Sequence, residues 1–294
     1  MSNQITTAFV KQFGSEVEML VQQKGSRLRR AVRVESGIRG KAEFFDQIGA
    51  TEAQETTSRH ADSPLIETPH ERRMVTMKNI EWGDLIDDFD KVQTLIDPTN
   101  PYTQNAGWAV GRKVDDTIIA AMFATAKTGE EGTVDVTFPG ANTIDADFDG
   151  DATAEGLTVA KLREARKRLL AAEALMDGES AFIAVTAKQL DDLLGTTEVT
   201  SSDFNSVRAL VNGEINQFLG FEFIRIERLL ATADPFRRVP VWVKNGMLLG
   251  VGIEPKSRIA ERSDKRFSTY VYWSARFGAT RMQEPKVLEI QCAE

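Results

Sequence analysis

The sequence has little cysteine and no long apolar segment. Its 294 residues include one cysteine, Cys292. A single cysteine cannot form an internal disulfide, and it has no second thiolate with which to build a zinc or iron–sulfur site, which favours a reducing cytoplasm. No apolar run approaches the roughly 20 residues of a membrane-spanning helix, and the first residues do not have the pattern of a signal peptide. We therefore expect a protein that is neither exported nor inserted in a membrane.

Positive charge is also in short supply. The 36 Lys and Arg residues face 44 Asp and Glu residues, which gives a formal charge of -8. An acidic protein repels phosphate backbones and acidic membrane surfaces, so a dedicated nucleic-acid binder is disfavoured. The basic stretch at 24–41 has no aromatic platform or recognition helix beside it. A solvated strand explains this stretch better than a phosphate-binding patch does.

Hydrophobic periodicity predicts an α+β fold, with helices and strands in separate clusters. Helical spacing occurs over 7–22, 85–96, 158–176, 188–194 and 203–213. The pair Asn100–Pro101 predicts the start of a helix of about 25 residues. Strands are expected at 42–49, 72–80, 133–138, 181–187 and 221–229, followed by two more over 267–292. The Asn245–Gly246 pair predicts a two-residue hairpin turn between two further strands.

The connection between the first two predicted strands is unusually long. It is polar and contains both histidines of the chain, His60 and His70, within the stretch RHADSPLIETPHERRMV at 59–75. A structureless loop of this length is uncommon inside a compact domain unless it has a function.

Neither histidine completes a recognised catalytic motif. His70 and Glu71 lack the second histidine of the zinc-protease motif HExxH. His60 and Asp62 would need further carboxylates to complete a metal site. We therefore predict no catalytic residue, no cofactor and no metal, and regard this stretch as a solvated or interface loop.

Two other motifs are incomplete. GESAF at 178–182 lacks the second glycine of a nucleophile elbow. DADFDGDATAEG at 145–156 places aspartates at ligand positions of a calcium loop, but Gly156 stands where the bidentate glutamate is required. An acidic surface loop explains the second motif better, although weak cation binding stays open.

Several longer stretches resemble one family of proteins. GKAEFFDQIGATEA, RHADSPLIETPHERRMV, WGDLIDDFDKVQTLIDPTNPY and YWSARFGATRMQEPKVLEI are similar to segments of the major capsid proteins of tailed double-stranded-DNA phages. The resemblance spans nearly the whole chain and implies the Hong Kong 97 type of shell fold. It implies an N-arm at 1–35, an E-loop at 36–80, a peripheral domain at 81–135 and 250–294 with a long spine helix, and an axial domain at 136–249.

The same resemblance implies what the chain contacts. In this family the E-loop lies across a neighbouring subunit, and the corresponding contact candidates are Arg59, His60, Asp62, Glu71, Arg72 and Arg73. Further implied partners are copies of the chain in hexamers and pentamers, a portal and a separate scaffolding protein. The shell would assemble in the host cytoplasm, form part of the virion and enclose double-stranded DNA without reading its sequence, with no membrane involved.

Two other functions stay open at this point. A cytoplasmic hydrolase or metal-dependent enzyme would use His60, Asp62 and His70, and it would be a monomer or a small oligomer. An encapsulin-like compartment shares the fold, but it would require a cargo protein to fill it. A shell protein, in contrast, predicts megadalton particles.

Overall fold

The structure is a computed structural model that describes most of the chain. The described residues are 22–55, 58–59, 63, 65–87, 99–148, 154–176, 179–195, 217–231 and 236–294. The helix predicted at 203–213 lies outside these ranges, as does all of the helix predicted at 7–22 except its last residue.

The described chain is a mixture of helices and strands, which confirms the predicted α+β class. The helices are α1 Thr99–Phe123, α2 Val159–Ala171 and α3 Ala187–Gly195. The strands are β1 Arg33–Ser36, β2 Ala42–Ile48, β3 His70–Thr76, β4 Lys78–Ile86, β5 Ala126–Thr128, β6 Val134–Val136, β7 Thr143–Ile144, β8 Ala181–Val185, β9 Gln217–Phe218, β10 Phe221–Arg225, β11 Phe236–Val243, β12 Met247–Arg262, β13 Ser268–Arg281 and β14 Val287–Ala293.

These strands form three sheets. Two are four-stranded, with the orders β1-β12-β13-β4 and β2-β3-β5-β6, and one is six-stranded, with the order β7-β14-β11-β8-β10-β9. The chain divides into two compact units. The smaller takes its described residues from 1–26, 79–113 and 253–276, and the larger takes them from 27–78, 114–252 and 277–294.

The long helix is confirmed, because α1 contains 25 residues. It begins one residue before the expected cap, Asn100.

The helix predicted at 158–176 is also confirmed, as α2, but it ends early. Its N-terminus is capped by the Thr158 side chain, which accepts from the Lys161 amide at 3.3 Å. At its other end Glu173 adopts a left-handed conformation with φ 50°, and the Ala174 amide donates to Leu169 O at 2.9 Å, which terminates the helix in the Schellman manner.

Two local predictions are wrong. Leu85, expected on the face of a helix at 85–96, lies in strand β4, and 88–98 are outside the described residues. Gly83 lies in the same strand: a Cβ at this position would collide with the Tyr270 hydroxyl, so glycine permits this close approach within the smaller unit.

The hairpin at Asn245–Gly246 is the second error. Strands β11 and β12 belong to different sheets, and Lys244–Gly246 forms a turn of 3-10 helix between them. Gly246 O accepts from the Met282 amide at 2.8 Å. Tertiary pairing therefore overrides a dipeptide that locally favours chain reversal.

Two apolar clusters in the larger unit position the elements that matter for function. Helix α2 packs against β14 and β7 and buries Leu162, Ala165 and Leu169 completely. A second cluster consists of Ile38, Val75, Met77, Leu248 and Met282, with Phe45 packed against it. Strands β2 and β3 supply Phe45 and Val75, so this cluster fixes the end of that strand pair at Ala42 and Thr76, away from the connecting loop. Among the helices described, none has the length and apolar character needed to cross a bilayer.

Candidate subunit interface

Strands β2 and β3 form an antiparallel hairpin, as predicted for the two strands that flank the long connection. The register runs from Ala42 opposite Thr76 to Ile48 opposite His70. The pairing continues one step further, because the Gly49 amide donates to Pro69 O at 2.9 Å. Residues 42–76 are called the β2–β3 hairpin below, and 50–68 are its loop.

The base of the hairpin, which is the end of the strand pair away from the loop, is well anchored. Val75 is fully buried in the apolar cluster, and β3 pairs with β5 through Arg73 opposite Thr128. The Thr128 hydroxyl donates to Arg72 O at 2.6 Å, and the Gln47 side-chain amide donates to Met282 O at 3.1 Å. The base of the hairpin is therefore part of the larger unit's core.

The loop differs sharply from this base. Every described residue of 50–68 is exposed. The exposed side chains include large apolar ones: Leu65 is 90% exposed, Ile66 40% and, at the end of β2, Ile48 71%. Ordering each residue costs about 1–2 kcal/mol of backbone entropy, and an exposed loop recovers little of this cost by burial. The described part of the chain leaves Leu65 and Ile48 largely uncovered and covers a little over half of Ile66.

The six contact candidates are not equivalent. Arg59 lies at an exposed turn in the loop, and Glu71 is exposed at the start of β3. His60 and Asp62 are outside the described residues. Arg59 and Glu71 are thus the described candidates with side chains open to contact from another molecule.

Arg72 is engaged within the hairpin. Its Nε donates to Asp46 Oδ1 at 2.6 Å across the strand pair, and its guanidinium lies 5.6 Å from the centre of the Phe44 ring. The hydrogen bond with Asp46, with help from the charge of that carboxylate, raises the pKa of Arg72. A neighbouring molecule would meet this group as a pair rather than as a free cation.

Arg73 points inward. It is only 3% exposed, and its Nη2 donates to Glu284 Oε2 of the same chain at 2.7 Å. The sequence did not predict Glu284 as the partner of Arg73. The two residues are 211 positions apart, and nothing in the sequence around Glu284 indicates this pairing. The sequence could have indicated that Arg73 points inward, because every second residue of a strand lies on the same face. Arg73 shares its face with Val75 and Met77, which are buried.

The hydrolase candidates do not assemble a site among the described residues. In those ranges there is no group of three or more His, Cys, Asp and Glu side chains that could hold a metal ion. His70 is exposed, and the two residues expected beside it, His60 and Asp62, lie outside the described ranges. Cys292 is fully buried, and burial raises the pKa of its thiol to about 12, so it is not a nucleophile near neutral pH.

A cleft of about 800 Å³ borders the hairpin base and is lined by strands β2, β3 and β5 together with Glu284. Four carboxylates, two guanidiniums and one imidazole face it, from Asp46, Glu71, Glu130, Glu284, Arg72, Arg73 and His70. Small-molecule sites are lined mainly by apolar side chains. This charged lining suits contact with a polar protein surface better than capture of a small substrate.

Comparison of the chain with known proteins identifies one family and a set of solved structures with a similar fold. The model of the family described as phage capsid protein matches residues 5–294. The capsid structure of the cyanophage P-SCSP1u is 16% identical with a TM-score of 0.76, and the match covers 100% of this chain and 97% of that one. The capsid of Ralstonia phage GP4 is 10% identical with a TM-score of 0.76, covering 97% and 95%. A chain of Mycobacterium phage Che8 is 16% identical with a TM-score of 0.66, covering 96% and 97%. No curated protein matches the chain. At these identities the solved structures are similar in fold.

Proposed function

The chain belongs to the phage capsid protein family, and from that premise we propose that its β2–β3 hairpin is the element that joins one copy to the next. As a member of this family it is a structural protein of the virion, and copies of it assemble into the capsid shell. Neither the family nor the described residues support a hydrolase built on His60, Asp62 and His70. The same family favours a virion shell over a cellular compartment.

One observation carries the proposal: the hairpin is fixed at its base and uncovered along its loop. A base with Val75 in the core and Phe45 packed against it holds the strands in one direction. The loop then presents Leu65 and Ile66 to solvent. Covering a nearly fully exposed side chain such as Leu65 contributes about 1.5–3 kcal/mol, and the 40% exposed Ile66 contributes about 0.6–1.2 kcal/mol in proportion. A neighbouring copy in the shell is the surface that can cover them.

Charge would set the register of this contact. Arg59 and Glu71 are exposed and opposite in sign, and we propose them as contact residues together with His60 and Asp62. An exposed ion pair contributes only about 0–1 kcal/mol, so such pairs select the alignment while the apolar side chains supply affinity. Arg72 would contribute through its pair with Asp46, and Arg73 by holding the hairpin from inside.

The finer architecture follows from the family and is part of the proposal. The hairpin lies within the expected E-loop at 36–80, beside an N-arm at 1–35, a peripheral domain at 81–135 and 250–294, and an axial domain at 136–249. Copies would form hexamers and pentamers, with a portal and a separate scaffolding protein. Assembly would take place in the host cytoplasm.

The shell would enclose double-stranded DNA without gripping it. Two arginines of the basic stretch at 24–41 pair with carboxylates of the same chain. Arg30 pairs with Glu222 at 2.9 Å, and Arg33 pairs with Glu35 at 2.7 Å. Together with the formal charge of -8, this pairing supports weak affinity for a phosphate backbone.

The proposal is tested by the state of the purified chain. We expect megadalton particles in light scattering and closed shells in negative-stain micrographs, because the hairpin loop is covered only when copies meet. A chain that stays monomeric at every concentration tried, with or without its co-expressed phage proteins, would contradict the proposal.

A further inference from the structure

Two buried arginines share one carboxylate at the base of the hairpin. Arg73 Nη2 lies 2.7 Å from Glu284 Oε2, and Arg281 Nε lies 3.5 Å from Glu284 Oε1. The two arginines are 3% and 0% exposed respectively. Among the described residues, Nε and Nη1 of Arg73 find no hydrogen-bond partner, and neither do Arg281 Nε and Glu284 Oε1. Glu284 is therefore hydrogen-bonded to Arg73 and in charge contact with Arg281.

Arg281 extends the cluster to the end of the long helix. Its Nη1 donates to Met122 O and Ala124 O, both at 2.9 Å, and its Nη2 donates to Val136 O at 3.3 Å. The last carbonyls of a helix lack partners within the helix and carry partial negative charge. A guanidinium at this position therefore caps α1, and burial lowers its pKa without removing its charge near neutral pH.

Glu284 itself is held in place by backbone contacts. It opens the 3-10 turn Glu284–Lys286, and its carbonyl accepts from the Asn142 side-chain amide at 2.6 Å. A continuous set of contacts thus runs from strand β3 through Arg73, Glu284 and Arg281 to the C-terminal end of α1.

We propose that Arg73, Glu284 and Arg281 form a lock that fixes the direction of the β2–β3 hairpin relative to the C-terminal end of α1. Buried ion pairs add little net stability compared with an apolar core, but their geometry can select one arrangement. A seven-residue strand spans roughly 23 Å, so a rotation of about 10° at the base moves its far end by about 4 Å, close to the spacing of neighbouring strands. Such a displacement is enough to misalign the loop with its contact surface.

This lock rests on the proposed function, because direction matters only if the hairpin reaches another copy. Its test uses the full chain with Glu284→Gln, which keeps the side-chain shape and removes the shared charge. Arg73→Met is the second variant, since it leaves the Arg281 cap and the Arg281–Glu284 pair intact and separates the hairpin from them.

The matched control is Glu289→Gln. Glu289 is a carboxylate that is 2% exposed and accepts from Arg238 Nε at 2.7 Å, but it lies in the six-stranded sheet. Hydrogen exchange of the amides of β2 and β3 is measured together with the yield of shells. Both lock variants are expected to raise exchange in the hairpin about tenfold relative to the six-stranded sheet, and to lower the yield of regular shells about fivefold or more. The control is expected to raise exchange in its own sheet and to leave the hairpin unchanged.

Three results would overturn the lock: hairpin exchange equal to that of the parent chain in Arg73→Met, regular shells at parental yield in that variant, or the same hairpin response in the control. If Glu284→Gln fails to fold, the hydrogen exchange and shell yield of Arg73→Met decide whether the lock exists. Absence of shells from the parent chain would instead count against the proposed function, and the exchange measurement would still report on the lock.

Discussion

Shortening the hairpin loop is expected to abolish shells while leaving the fold stable. In this variant an Asn-Gly dipeptide replaces residues 50–68, between the paired positions 49 and 69, and Pro69→Thr supplies the backbone N–H that a two-residue hairpin turn needs. Every described residue that is removed is exposed, so little packing is lost, and the lower closure entropy of the shorter loop should raise the free energy of unfolding by about 2 kcal/mol. The surface proposed to contact the next copy is lost entirely. Urea unfolding and negative-stain microscopy measure the two effects.

A full-length control separates the chemistry of the loop from its length. Leu65→Ser combined with Ile66→Ser keeps every residue position and removes the two exposed apolar side chains. We expect shells from this variant to form more weakly than those of the parent chain and to dissociate at lower denaturant, because burial of Leu65 contributes about 1.5–3 kcal/mol and burial of the remaining 40% of Ile66 about 0.6–1.2 kcal/mol. Normal shells from the shortened variant would rule out the hairpin as the connecting element.

Lys161→Met is expected to give the largest loss of fold stability. Lys161 is fully buried, and its Nζ donates to Ala146 O, Glu155 O and Gly156 O at 2.9 Å each and to Gln291 O at 3.2 Å. Methionine keeps the apolar stem but leaves these carbonyls without their shared donor. Ala146 O and Glu155 O keep the amides of Glu155 and Ala293 as donors, whereas Gly156 O and Gln291 O lose the ammonium. An unsatisfied buried polar group costs about 1–3 kcal/mol, so a total loss of about 2–4 kcal/mol is expected, measured by urea unfolding.

The matched control is Lys167→Met on the same helix. That lysine side chain is 76% exposed, and its replacement should change the free energy of unfolding by about 0.5 kcal/mol or less. A Lys161 variant within about 1 kcal/mol of the parent chain would show that the ammonium does not organise these carbonyls.

The position of Lys161 also bears on the calcium-like stretch at 145–156. Asp145 and Asp147 are exposed, in line with an acidic surface loop, and 149–153 lie outside the described residues. The carbonyls of Ala146, Glu155 and Gly156 converge on a lysine ammonium. The sequence pattern could not indicate this, because it records the aspartate side chains and not the direction of the backbone carbonyls.

Local signals predicted the long helix and most strands correctly, because a single periodicity dominates each of them. Asn100 and Pro101 predicted the start of α1 to within one residue, and the sequence pattern at 42–49 predicted β2. Where two parts of the chain compete, the local signal failed. The helix pattern around Leu85 was overridden by pairing of β4 with β13, and the Asn245–Gly246 turn was overridden by the assignment of its flanking strands to different sheets.

The hairpin site was predictable in part. Its two strands and its long polar connection are visible in the sequence, whereas its base depends on partners far along the chain. Arg73 needs Glu284, and Glu284 in turn needs Asn142, which lies 142 positions away. Such contacts arise from the tertiary fold, so spacing alone does not reveal them. The assignment of six residues to the contact surface stays a prediction, as do the domain boundaries; the six are Arg59, His60, Asp62, Glu71, Arg72 and Arg73.

The central claim is that the hairpin loop is buried on an adjacent copy. An electron cryomicroscopy reconstruction of the assembled particle tests it most directly, because it places residues 50–68 relative to every neighbouring chain. We expect Leu65 and Ile66 to be covered by another copy, with Arg59 and Glu71 facing charges of opposite sign. A reconstruction in which the loop folds back on its own chain, or stands uncovered in solvent, would contradict the claim.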